Sequence, residues 1–255
     1  MPDYPEIARQ ARLKVLDMTY KAQSSHIGSN FSVIDILTVL FDKMGANDQI
    51  VLSAGWKAAS LYYFLAKRGD FDEGILDTYN QEGSALIGLT EPGVPGVIFA
   101  GGSMQMGVPA AVGFALAKKM KKEPGTIYCI MSDGELAGGM IWESAIIAAA
   151  HKLDNLVIIV DKNGLQAMGE TKEILPMPEL SQRWEAFDWN AYLVDGHNYM
   201  DLVEAIEYRV KEPTVIIAET IKGKGVSFME SNNDYHYLNL TEAVYLKARK
   251  ELFHG

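Results

Sequence analysis

Hydrophobic positions follow two rhythms along the chain. Near the N-terminus, Ile7, Ala11, Val15, Met18 and Ala22 recur at spacings of three and four, which predicts an amphipathic helix with one buried face. The pattern breaks at Ser24-Ser25-His26-Ile27-Gly28-Ser29-Asn30, a polar, glycine-containing stretch expected to be a loop. Ser32 is then expected to cap a second helix running through Ile36, Leu37 and Leu40. Further on, short and nearly unbroken apolar runs take over, at residues 49–53, 126–131, 156–160, 189–194 and 214–218, each ending in a polar or glycine-rich turn. Helical stretches at 107–121, 139–153 and 200–211 lie between them. Strands alternating with helices predict an α/β fold, a three-layer sandwich with a mostly parallel central sheet and helices on both faces. Apolar runs without polar alternation are what a sheet covered on both faces requires. Residues 80–106 are rich in Gly and Pro and predict a long ordered loop, a kind of segment more often functional than idle.

Composition narrows this picture. The chain has 255 residues, 48% hydrophobic and 22% charged, with no internal repeat, low-complexity tract or linker-like stretch. One domain over residues 1–255 is therefore expected. With 33 acidic against 23 basic residues the net charge is −10, and no Lys/Arg block gives an electrostatic basis for binding nucleic acid or an anionic membrane. The longest apolar runs are too short to span a bilayer. The opening MPDYPEIARQ contains Asp3 and Glu6 and no apolar segment, so no signal peptide is expected. The single cysteine, Cys129, excludes an internal disulfide and suits a reducing compartment, the cytoplasm. Inside the run 126–131 it reads as a core thiol rather than a nucleophile. The histidines are scattered and form no metal-ligand spacing with it.

The chemistry concentrates between Ser132 and Leu165, a predicted strand–helix–strand unit. A right-handed crossover puts the carboxyl ends of both strands on one edge, so Asp133 and Asn163 would share the crevice where open α/β sheets bind ligands. A carboxylate, an amide oxygen and the carbonyl of Leu165 are hard oxygen ligands, and Mg²⁺ commonly adds phosphate oxygens and water to such a set. Gly134 would let a diphosphate approach the backbone, with helix N–H donors following. From spacing alone, Asp133 reads equally well as an ordinary turn residue and Asn163 as an ordinary loop residue.

The segment SDGELAGGMIWESAIIAAAHKLDNLVIIVDKNGLQAMGET resembles the thiamine-diphosphate motif of the transketolases, a Gly-Asp-Gly after one strand and an Asn after the next, with Ser132 in place of the first glycine. The resemblance covers almost the whole chain. Ser25-His26-Ile27-Gly28 is similar to the family's Ser-Gly-His-x-Gly loop, and Leu52 to Ala59 to its Leu-Ser-Lys-Gly-His-Ala-Ala. Pro95-Gly96-Val97, Gly102 to Gly107, Asp195-Gly196-His197 and Thr220 to Gly225 match further motifs, and His236 lies where the family has a histidine. The resemblance implies thiamine diphosphate and Mg²⁺ as cofactors, with the metal on Asp133, Asn163 and Leu165. The implied cofactor-binding set is Asp133, Gly134, Glu135, Asn163, Leu165, Gly102, Met104 and Trp56, the backbone of Gly102 and Met104 meeting the aminopyrimidine. His26 and His236 would act beside the diphosphate or substrate. Glu143 would belong to a carboxylate network at a subunit interface; it also reads as a solvated helix carboxylate.

The family's activating glutamate, which helps generate the reactive ylid of the thiazolium, sits on a pyrimidine-binding domain. The short stretch after His236 is expected not to encode that domain. A separate pyrimidine-domain subunit, equivalent to a transketolase C-terminal half, is therefore expected, in an α2β2 assembly acting on a small-molecule substrate. Departures fall at the substrate end: Ala54 and Trp56 replace the lysine and histidine of Leu-Ser-Lys-Gly-His, Leu89 replaces the histidine of Gly-His-Pro-Glu, and Gly138 replaces a glutamate. An apolar site loses the discrimination that hydrogen bonds to a substrate hydroxyl give. The resemblance thus implies transfer of a two-carbon ketol unit to an acceptor other than an ordinary aldose phosphate. A decarboxylating or acyl-transferring 2-oxoacid component and a vestigial regulatory paralogue stand as alternatives.

Overall fold

The computed structural model describes residues 2–208 and 210–254. Helices α1 (Tyr4–Ala22) and α2 (Ile27–Lys43) precede strand β1 (Gln49–Leu52), and α3 (Ala58–Arg68) follows it. After the long connection come α4 (Gly107–Lys121), β2 (Ile127–Ser132), α5 (Gly139–Ala150) and β3 (Leu156–Lys162). A small hairpin, β4 (Leu165–Gln166) and β5 (Gly169–Glu170), leads to α6 (Thr171–Ile174), α7 (Leu180–Glu185), β6 (Asn190–Asp195), α8 (Tyr199–Glu207), β7 (Thr214–Glu219) and α9 (Glu242–His254). The main sheet has five strands in the order β1-β2-β3-β7-β6, all paired in parallel.

Alternation along the central strands divides the interior in two. Tyr128, Ile130, Val157, Ile159 and Ile216 face α1, α2, α3 and α8, while Ile127, Cys129, Met131, Ile158, Val160 and Ile217 face α4, α5 and α7. Every residue of β2 is buried, as a strand covered on both faces must be. The expected three-layer α/β sandwich is therefore present. Cys129 is fully buried, and burial pushes its thiol well above the ordinary value.

Two local expectations change. The loop after α1 is shorter than expected: α2 begins at Ile27, with His26 at its N-cap in the left-handed region (φ 70°). Ser32 is not a cap but lies inside α2, fully buried, donating from its hydroxyl to Asp161 at 2.6 Å. The cap signal failed because a tertiary partner claimed that hydroxyl. The expected loop at 80–106 holds no helix or strand, only an isolated bridge between Pro92 and Val94.

Beneath the helical layer, Asp35 of α2 accepts two hydrogen bonds from Arg12 of α1 (2.7 and 3.0 Å), one from the Tyr199 hydroxyl (2.9 Å) and one from His197 Nδ1 (2.6 Å). His197 Nε2 accepts the Ile221 N–H at 2.8 Å, so the ring donates to Asp35 from Nδ1. Burial works to raise the Asp35 carboxyl, but Arg12 and His197 outweigh it and hold it well below the usual carboxylate range. The network's contribution therefore lasts until pH falls below that range. Removing one partner of a buried pair strands the other charge. Arg12→Met is expected to lower the unfolding free energy by about 3–5 kcal/mol, read as a lower urea midpoint at unchanged slope. A loss under about 1 kcal/mol, the scale of a surface pair, would contradict this.

Candidate active site

The parallel strands deliver their carboxyl ends to one edge: Ser53 after β1, Asp133 after β2, Asn163 after β3 and Lys222 after β7. Glu135 fastens this edge together. It lies in a 3₁₀ turn, Asp133–Ala137, and forms a capping box with Ser132. Its carboxylate accepts from the Ser53 hydroxyl (2.5 Å), the Ser132 N–H (2.8 Å) and the Gln105 N–H (2.9 Å), and it is fully buried. Glu135, expected to touch cofactor, is fully buried and lines neither the cleft nor the cavity beside it; it anchors the segments that do. The Ser-x-x-Glu spacing was the sequence signal for that role.

Asp133 is 8% exposed. It accepts the N–H of Gly134 (3.0 Å) and, across the crossover, the N–H of Gly164 (2.8 Å). The two turns predicted to meet are thus joined by a hydrogen bond. Asn163 Oδ1 accepts the Leu165 N–H at 3.1 Å. Burial, reinforced by the nearby charge of Asp161, pushes the Asp133 carboxyl up to about 6. A buried acid in this state gains from a cation beside it. Among the described residues no three His, Cys, Asp or Glu side chains cluster as metal ligands. A cation here would draw one carboxylate, neutral oxygens and ligands from outside the protein, a donor set that fits Mg²⁺ bound to a diphosphate.

Next to this turn opens a cleft of about 410 Å³. His26, Trp56, Gly102, Met104, Gly134, Asn163, Leu165 and His236 all line it, residues from distant parts of the chain that the sequence had grouped. Asp133 faces an adjoining cavity of about 320 Å³; Gly134 and Gln166 border both. Glu143 lies elsewhere, on the exposed side of α5. Leu89 stands close to the cleft, its Cδ1 3.6 Å from where a Cβ on Gly102 would be.

Two buried lysines escaped the sequence reading. Lys57 and Asp161 pair at 2.5 Å with both side chains fully buried, and Asp161 also accepts from Ser32 and Thr220. Their signal was a charge set at the end of an apolar run. Lys222 donates to Asn233 Oδ1 and to His236 Nδ1, each at 2.8 Å. An ammonium only donates, so Nδ1 of His236 accepts and the neutral ring carries its proton on Nε2. The His26 N–H donates to the His236 carbonyl at 3.0 Å, and the two rings meet edge to face at 4.9 Å. Burial, then the charge of Lys222 and the neighbouring His26, push His236 down to about 4; burial and Lys222 lower His26 as well. Burial and Lys57 bring Lys222 down to about 8, against the opposing pull of Asp133 and Asp161. Near neutral pH the cleft therefore offers two uncharged imidazoles backed by one ammonium.

A parallel sheet with a cleft across its strand ends, beside a buried acid that suits a metal–diphosphate, defines a cofactor-binding α/β domain. The family model for the transketolase thiamine diphosphate binding domain matches residues 5–254. The chain is 36% identical to the 6-deoxy-6-sulfo-D-fructose transketolase subunit SqwG of Clostridium sp. (strain MSTE9), covering 98% of this chain and 96% of that one. It is 34% identical to one subunit of the apulose-4-phosphate transketolase of Phocaeicola vulgatus, covering 94% and 90%. The crystal structure of Campylobacter jejuni transketolase superposes with a TM-score of 0.91 at 29% identity, over 99% of this chain and 43% of that chain, so the present chain spans under half that protein's length. The chain belongs to the transketolase family and carries its thiamine-diphosphate-binding domain.

Lys222 gives the site a direct test. Lys222→Met removes the charge that disfavours the imidazolium, so His236 is expected to titrate upward from about 4 towards the ordinary histidine value. NMR titration of the His236 ring protons reads this, and a value unmoved by the substitution would contradict the arrangement.

Proposed function

We propose that this chain is the diphosphate-binding subunit of a split transketolase-like enzyme, which transfers a two-carbon ketol unit together with a separate pyrimidine-domain subunit. The observation that supports this most is the convergence of His26, His236, Gly134, Asn163 and Leu165 on one cleft beside Asp133. In this reading Asp133, Asn163 and the carbonyl of Leu165 hold Mg²⁺ and the diphosphate, and Gly134 packs against it. The backbone of Gly102 and Met104 meets the aminopyrimidine. Bound there, thiamine diphosphate would supply the nucleophilic carbon that ketol transfer needs. The chain's own part is to bind and orient: His236 offers Nε2–H to a substrate oxygen, held in that tautomer by Lys222.

The partner subunit is supported by the cleft rim. Met104, Met168 and Tyr237 are 47%, 81% and 64% exposed there, apolar surface suited to cover by a second domain. On α5, Ile146 and Ile147 stand exposed beside Glu143, which suits a self-complementary contact between two copies and an α2β2 assembly. The two relatives named as subunits match this chain end to end, whereas the full-length transketolase does not. The absence, among the described residues, of a helix long and apolar enough to cross a membrane is compatible with a cytoplasmic assembly.

Trp56 borders the cleft and Leu89 abuts Gly102, so both replacements of family histidines lie where substrate would sit. This supports an acceptor other than an ordinary aldose phosphate. Trp56→His with Leu89→His is expected to raise ketol transfer between sugar phosphates, assayed with the partner present; no gain would count against the specificity reading. Binding itself is tested by thermal unfolding of the paired subunits. Thiamine diphosphate with Mg²⁺ at a hundred times Kd should raise Tm by about 5–10 °C, and Asp133→Asn should remove most of that shift. An unshifted Tm in the pair would sink the cofactor assignment.

A further inference from the structure

Gln105 and Gly138 are each the wrong residue for their own backbone. Gln105 has φ 72°, the left-handed region that glycine adopts most readily. Gly138 has φ −94° and ψ 139°, ordinary extended backbone open to any side chain. Each is explained by the other. A Cβ on Gly138 would lie 1.6 Å from Gln105 Oε1 and 1.7 Å from its Cδ, so the glutamine amide occupies the space above Gly138. The strained backbone of Gln105 is held from below, since its N–H donates to buried Glu135 at 2.9 Å.

The location gives this seat its purpose. Gln105 belongs to the short loop carrying Gly102 and Met104 into the cleft, and Gly138 follows the turn carrying Asp133 and Gly134. Both ends of the loop are fixed by glycines pressed against the end of β1. A Cβ on Gly101 would lie 2.5 Å from the Leu52 carbonyl, and one on Gly107 would lie 2.4 Å from Ser53. Between those ends, the Gln105 contacts with Gly138 and Glu135 join the loop to the Asp133 turn.

We infer that Gln105 is a positioning residue, seated on Gly138, that sets the spacing between the loop meeting the aminopyrimidine and the turn meeting the diphosphate. This rests on the cofactor reading above. A side chain at 138 displaces the amide and leaves the Glu135 hydrogen bond as the remaining tie between Gln105 and the turn, while a glycine at 105 makes position 138 indifferent.

Amide hydrogen exchange over residues 102–107 tests this in the isolated chain, comparing wild type, Gly138→Ala, Gln105→Gly and the double variant. Gly138→Ala should speed exchange about tenfold, and should add nothing in the Gln105→Gly background. An equal effect of Gly138→Ala in both backgrounds, or none in either, would overturn the inference. Repeating the comparison in the paired subunits with excess thiamine diphosphate and Mg²⁺ separates the two claims. Protection of 102–107 in wild type, weaker in Gly138→Ala, supports the positioning role. Coupling between the two positions without any protection of wild type would instead overturn the cofactor reading, and the role with it.

Discussion

Asp161 is a carboxylate with no access to water, and the cleft is organised by the way its charge is met. Placing such a group at the end of a central strand is costly unless it is paired and its lone pairs are filled. Lys57, Ser32 and Thr220 do both, and they come from the turn after β1, from α2 and from the segment after β7. Asn163 follows Asp161 by two residues, and Trp56 precedes Lys57 by one. Satisfying one buried charge thus brings together segments that contribute to the cofactor and substrate ends of the cleft.

Glu135 performs the corresponding task in the turn after the neighbouring strand, gathering Ser53, Ser132 and Gln105. Two buried acids therefore set the walls, while Asp133 holds weaker partners. Its two backbone donors and the Thr171 hydroxyl at 3.4 Å do not fully offset burial, and its raised carboxyl is the electrostatic opening a metal would fill. On the opposite wall, burial and then the charge of Lys222 keep His236 uncharged, and Lys222 fixes its tautomer. The cleft thus divides into a part poised for a cation with its diphosphate and a part poised to hydrogen-bond a neutral oxygen.

The sheet could be read from the sequence because burial on both faces leaves an unmistakable trace: β2 and β3 are almost free of polar residues until they reach the edge. The crossover from Asp133 to Asn163 followed from handedness alone, and spacing with family resemblance gathered His26, Gly102 and His236 with it. What stayed hidden were interactions between elements distant in sequence. Ser32 looked like a helix cap because nothing local revealed Asp161 as its partner. Lys57 and Lys222 stood in recognised motifs without a role, and Glu135 looked like a ligand, because burial is a property of the assembled edge. Gly138 was noticed as a lost carboxylate; only its contact with Gln105 shows what took up the space.

The most direct measurement is a crystal structure of the chain, alone or with its partner subunit, bound to thiamine diphosphate and Mg²⁺. The account predicts the metal on Asp133 and Asn163, the diphosphate against Gly134 within reach of His26 and His236, and the pyrimidine ring at Gly102 and Met104. A cofactor lodged instead in the adjoining cavity, among Leu175, Met177 and Leu180, or a metal site without Asp133, would contradict it.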